Sequence, residues 1–283
     1  MRLPAALAGP IVTAGLLLSA CGGNSGGINL ELAFPNDSTL EYRLTGSLTS
    51  AIDPGSGVPS QETTVEKTAM IELQGRGRDQ KGATTVRRTL SKLEFRVGQG
   101  RPQTQPVTPS DVTFGSDGKV LSSEMLSPLS PDPTIGLLLP LLPDRAVHIG
   151  DSWETDYDVA VPYGSGKQHI HASNTLSRLV NQVAIVDSTV TMDIDAQIDV
   201  REQAARNYER LNIPDEYSPT QHVQITLSGT QTSNVDTVHK RLLTAKNSLD
   251  VEARYENFGF PPNIASKQRI LGRIANEATL ANP

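Results

Sequence analysis

Val190 to Val200 is the stretch that most restricts the fold. Val190, Met192, Ile194, Ala196, Ile198 and Val200 alternate with Thr191, Asp193, Asp195, Gln197 and Asp199. Side chains of a strand point to opposite faces with period two, so this stretch has one apolar and one polar face. A helix would scatter the same residues around its circumference. The pattern predicts an antiparallel sheet with one buried and one wet face. The same period recurs in Leu40, Tyr42, Leu44 and Leu48; in Ala69, Ile71 and Leu73; in Leu93, Phe95 and Val97; in Val223, Ile225 and Leu227; and in Leu249, Val251, Ala253 and Tyr255. Trp153 to Val161 and Gln168 to Val180 also read as strands. Loop signals separate these runs at Asp53 to Gly57, at Asp79 to Gly82 and in the proline-rich Pro102 to Pro109. Asp117-Gly118 suits a two-residue hairpin that sets Phe114 opposite Leu121. Strands do not alternate with helices, which argues against a parallel α/β sheet.

The expected fold is therefore mainly β: long antiparallel strands in a curved sheet or open half-barrel, with a few short helices. Arg201 to Leu211 reads as one helix, and a tail from Ile264 to Ala275 as another. Aromatics are only 4% of residues, so Leu, Ile, Val and Ala must build the core. Two β-rich parts, residues 38–124 and 150–283, flank a proline- and leucine-rich junction at 125–149. The strands of the two parts, as far as residue 256, follow similar plans.

The N-terminus gives an address. Arg2, an apolar stretch peaking at Leu16-Leu17-Leu18, and small residues before Cys21 make residues 1–20 a secretory signal. The apolar part is too short to span a bilayer, which takes about 20 residues. Leu18-Ser19-Ala20-Cys21 resembles the lipobox of bacterial lipoproteins. That resemblance implies cleavage before Cys21, the chain's one cysteine, and acylation of its thiol. Residues 21–37 then form a tether, flexible through Gly22 to Gly27. The implied place is the cell membrane or outer membrane, lipid-anchored and facing away from the cytoplasm. An acylated Cys21 leaves no thiol for a disulfide, a thiolate metal site or a nucleophile. A net charge of −6 argues against a nucleic-acid partner.

Within the junction, Ile135, Leu137, Leu138, Leu139, Leu141 and Leu142 crowd six large aliphatics between prolines. They are read either as a cap on the core or as a lid over an apolar cavity. Val147-His148-Ile149-Gly150-Asp151-Ser152-Trp153 follows. With the lipobox, the glycine-rich spacer and the β-rich body, this motif resembles a family of uncharacterised bacterial lipoproteins with a central Gly-Asp-Ser-Trp turn. The layout is more loosely similar to half-barrel envelope carriers of lipids, an analogy of fold alone. The function expected is a non-enzymatic binding module for a lipid, an amphiphile or an envelope partner, with no cofactor. One alternative is a structural or interaction lipoprotein without a cavity.

The other alternative is a serine esterase. Gly150-Asp151-Ser152 resembles the nucleophile block of GDS-type esterases, and Asp236 and His239 have the spacing of their acid and base. Against this, the motif lies mid-chain between strands, and the family's G-x-N-D oxyanion block is absent. The simpler reading of Gly150, Asp151, Ser152 and Trp153 is a turn that feeds Trp153 into the core. Asp187, Asp193, Asp195 and Asp199 could offer oxygens to calcium, but a straight strand splays them, and a solvated face is expected. His169 and His171 share a face but lack an evident third zinc ligand, so no metal site is expected.

Overall fold

The computed structural model describes residues 26–36, 38–53, 61–104, 109–123, 138–161, 164–202, 213–214, 216–261 and 266–281. Twelve strands make one antiparallel sheet. They are β1 (Thr39–Asp53), β2 (Gln61–Arg78), β3 (Thr84–Val97), β4 (Gln103–Thr104), β5 (Ser110–Phe114), β6 (Val120–Ser123), β7 (Ser152–Ala160), β8 (Gly164–Val180), β9 (Val183–Asp199), β10 (Thr220–Asp236), β11 (Arg241–Phe258) and β12 (Lys267–Leu280). The order across the sheet is β6-β5-β3-β2-β1-β12-β11-β10-β9-β8-β7, with β4 added on β3. The chain thus starts mid-sheet, runs outward to β6, and returns from β7 at the other edge. Its two ends pair as β1 and β12, from Tyr42 opposite Leu280 to Asp53 opposite Arg269. The sheet curls until its edges approach, where the Val120 N–H on β6 donates to the Tyr157 hydroxyl on β7 at 3.5 Å. The result is an open barrel with its seam between β6 and β7, and the junction is the chain that bridges this seam.

Alternation explains which face is inside. On β9, Ala184, Val186, Met192, Ile194 and Ala196 are buried while Asp187, Asp193 and Asp195 are exposed. Transmembrane barrels carry the apolar band outside; this one carries it inside. Among the described residues no helix is long and apolar enough to cross a membrane.

Three local expectations change. The tail is strand β12, not helix: its pairing with both β1 and β11 satisfies backbone groups on both sides, which outweighs local propensity. The Asp117-Gly118 hairpin is longer than two residues. Gly118 N donates to Gly115 O and Gly115 N to Lys119 O, so Phe114 pairs with Val120 and Leu121 is left exposed. Gly118 sits at φ +82, and a Cβ there would lie 2.1 Å from Pro140 O, so this turn admits the junction only because it is glycine. In β3, Leu93 is buried but Val97 is 45% exposed. A bulge with Lys92 at φ +54 swaps the inward phase from even to odd residues. Of the expected helix at Arg201, Val200 to Glu202 are helical, with Asp199 Oδ1 accepting the N–H groups of Arg201 and Glu202 at 2.9 Å each. Residues 203–212 lie outside the described set.

The core has two parts. At the near end, where the chain enters the body at Ile28, strand residues such as Leu44, Ile71, Leu176 and Leu242 pack with two segments outside the sheet. One is residues 28–34, giving Leu30, Leu32 and Phe34, whose ring stacks on Phe114 at 5.8 Å. The other is the junction, giving Leu138, Leu139, Leu142 and Val147. At the far end a second cluster gathers Val159, Ile170, Met192, Ile194, Ile225, Leu227, Val251 and Ile274 from β7 to β12.

Candidate functional site

The far-end cluster is built by strands. Among the described residues, Val161 just past β7 and Leu141 of the junction join it from outside the strands. Ala172, Ala196 and Ala253 keep the wall low where bulkier residues would fill the barrel. Polar side chains also face this compartment, among them Tyr157, Tyr255 and Gln168. The phenols of Tyr157 and Tyr255 are pushed up to about 12 by burial and stay protonated. Gln168, 3% exposed, lies between Val159 and Ile194 in the ladder. Its Nε2 rests against the Met192 sulfur at 2.7 Å, and its Oε1 has no hydrogen-bond partner. A buried, unpaired amide oxygen costs about 1–3 kcal/mol.

A polar belt separates the two core parts. The register places Trp153, Asn174, Ser188, Gln231, Asn247, Asn276, Gly46 and Lys67 side by side across eight strands, all at inward positions. Ser188 Oγ donates to Asn174 Oδ1 at 2.7 Å, and Asn276 Nδ2 to Asn247 Oδ1 at 3.3 Å. Asn276 Oδ1 is buried and unpaired. Gly46 carries no side chain because Asn276 and Lys67 close over it from either side. The belt also holds the junction: Gln231 Nε2 donates to Leu138 O at 3.2 Å and to Leu139 O at 3.3 Å, and Trp153 Nε1 donates to Leu141 O at 2.9 Å.

The expected lid residues therefore divide. Leu138, Leu139 and Leu142 are buried in the near-end core, Leu141 reaches the compartment, and Ile135 and Leu137 lie outside the described residues. Beneath Leu139 and Leu141 is a cavity of about 30 Å³, reaching Asn174, Ser188 and Gln231 of the belt. That is room for one or two waters. Cys21 also lies outside the described residues.

The motif at 150–153 forms a turn. Gly150 has φ +92, Asp151 N donates to His148 O, and Asp151 Oδ2 accepts the His148 N–H at 2.9 Å. That backbone bond, helped by the His148 ring and Arg145, holds the Asp151 carboxyl below its ordinary range. The Ser152 hydroxyl meets the Thr175 hydroxyl at 2.8 Å. His239 Nδ1 lies 2.7 Å from Asp236 in the β10–β11 turn. Thr175, Asp187 and Thr232 separate Ser152 from that hairpin across three ladder steps, about 14 Å of sheet, so the structure does not bring Ser152 to His239.

The acidic stripe on β9 is bonded along its length. Asp187 accepts from Thr232, Asp193 from Thr226, and Asp195 meets His222 at 2.8 Å. His169 sits between Asp156 and Asp158, and His171 between Glu154 and Asp156. Among the described residues, no group of three or more His, Cys, Asp or Glu is placed to hold a metal ion.

The belt was not foreseen from the sequence. Gly229, Gln231 and Ser233 break the alternation after Leu227, and Asn247 does so before Leu249. The available signal was a single polar residue in phase with the apolar ones, in one strand after another.

Comparison with known proteins adds little. No family model matches the chain, and no curated protein does. Among solved structures it is similar to DynF from the dynemicin biosynthesis pathway of Micromonospora chersina, at 8% identity over 92% of each chain. The TM-score is 0.26, too low to support any argument from that protein.

Proposed function

We propose that this chain is an envelope lipoprotein, anchored through acylated Cys21, whose barrel binds an amphiphile without catalysing a reaction. The observation that carries this reading is the far-end cluster, an apolar surface built by one curved sheet and joined from the junction, among the described residues, by Leu141. Aliphatic walls with few polar groups suit an alkyl chain. Gln168 Oε1 needs a donor, which favours a ligand bearing a hydroxyl or amide N–H. The 30 Å³ cavity is too small for such a chain, so binding requires Leu139 and Leu141 to withdraw from it. A ligand oxygen would then take over the donors of Gln231 and Trp153 that hold the run in place.

Delipidated protein titrated with dansyl-undecanoic acid tests this. Saturable, blue-shifted emission is expected from the native chain. Ala253→Phe, which fills the compartment from a position with 0% exposure, should weaken binding at least tenfold with the circular dichroism retained. If the native chain shows no saturable binding, the structural or interaction lipoprotein is the better reading.

A further inference from the structure

We propose that the near end of the barrel rests on the bilayer holding the acyl chains of Cys21, with the far end of the barrel held away from that membrane. This rests on the anchoring part of the function proposed above and goes beyond it.

Three aliphatic residues stand out from the near end at loop tips: Ile149 is 57% exposed, Val180 51% and Val238 56%. Their loops are joined to one another and to the entering chain. Val180 opens the β8–β9 turn, in which Asn181 and Gln182 have positive φ. Thr237, beside Val238, donates to Gln182 O through both its N–H and its hydroxyl, at 3.0 and 2.8 Å. Ile149 is held to β8 by Gly150 N donating to Leu176 O at 2.8 Å. Ile28 pairs with Val147, and Ala33 N donates to Lys240 O at 2.7 Å, so the entering chain crosses this same end.

Length decides the orientation. From Gly22 to Ile28 is seven residues, which stretch to at most about 25 Å. Strands β9 and β10 are 17 residues each, about 56 Å along the strand. At a usual barrel tilt that stands about 40 Å tall. The far end therefore cannot sit on the anchoring bilayer while Ile28 is held at the near end. Lying on its side would set a polar outer wall on the bilayer, with Asp193 bonded to Thr226, Asp195 to His222 and Glu252 to Arg254 and Arg269. Ile52 and Phe258 leave apolar surface at the far end too, so the short tether selects the end, and Ile149, Val180 and Val238 give the near end its apolar contact.

Site-specific quenching on the acylated full chain tests this. Val180→Cys, Val238→Cys and Phe258→Cys are labelled with bimane in phosphatidylethanolamine–phosphatidylglycerol vesicles containing doxyl lipids. Native Cys21 does not compete when acylated. Phe258, 48% exposed, is the far-end comparison. At least threefold stronger quenching at 180 and 238 than at 258 supports the orientation. Co-flotation with vesicles and equal or reversed quenching overturns the orientation while leaving the anchor standing. Failure to co-float with vesicles overturns both.

Discussion

At the scale of single residues, two side chains around the junction lend themselves to tests. Trp153 joins the belt to the run through the bond from its Nε1 to Leu141 O. Trp153→Phe keeps an aromatic ring but strands a buried carbonyl. It should cost about 1–3 kcal/mol, read as a lower urea midpoint with an unchanged slope. Asp151 closes the turn before β7 by accepting the His148 N–H, which lowers its carboxyl from the ordinary 3.8. A carboxylate depressed in the fold stabilises it above the ordinary value, and that contribution is lost as pH falls through the lower folded value. Asp151→Ala should therefore melt below the native chain at about pH 5, and the gap should shrink at about pH 2.5. A gap that stays constant would show that the carboxylate charge contributes nothing. These roles were partly legible: the glycine and the lone tryptophan marked a turn and a core entry. The acceptor at Leu141 was not, because the bond joins residues whose proximity depends on the whole barrel.

At the scale of elements, β9 shows how strongly alternation constrains a strand. Ile194 faces in at 5% exposure, while Asp195 faces out and meets His222. Ile194→Asp buries an unpaired carboxylate and should cost more than about 4 kcal/mol or prevent folding. Asp195→Ala should change stability by less than about 0.5 kcal/mol, because an exposed ion pair is worth little. Comparable shifts in melting temperature would mean the two faces are wrongly assigned. Elsewhere the alternation misled in an informative way. The bulge at Lys92 changes phase within β3, and β10 and β11 each run through the belt, where an inward Gln231 or Asn247 looks like the end of a strand. Periodicity measures apolar burial, so it fails where the inside is polar.

At the scale of the molecule, the chain ends carry the closure. β12 fills the gap between β1 and β11, so residues about 230 positions apart must meet before the barrel exists. Such long-range pairing makes folding slow, on the order of milliseconds to seconds or longer. A chain ending at Phe258 would expose both facing edges and the near-end core. It should show no cooperative thermal transition by circular dichroism, while the full chain does.

Alternation alone specified an antiparallel β structure with a wet and a dry face, because it is a local property that backbone geometry turns directly into burial. The sequence also marked the turn at Gly150 and the apolar run of the junction. Long-range pairing settled that β1 and β12 join the halves into one sheet, and that the tail is a strand. It alone placed Asn174, Ser188, Gln231, Asn247 and Asn276 in one belt dividing two apolar spaces. The reason is physical: strand pairing is specified by edges and registers far apart in the chain, and no local pattern of apolar and polar residues encodes which edge will find which.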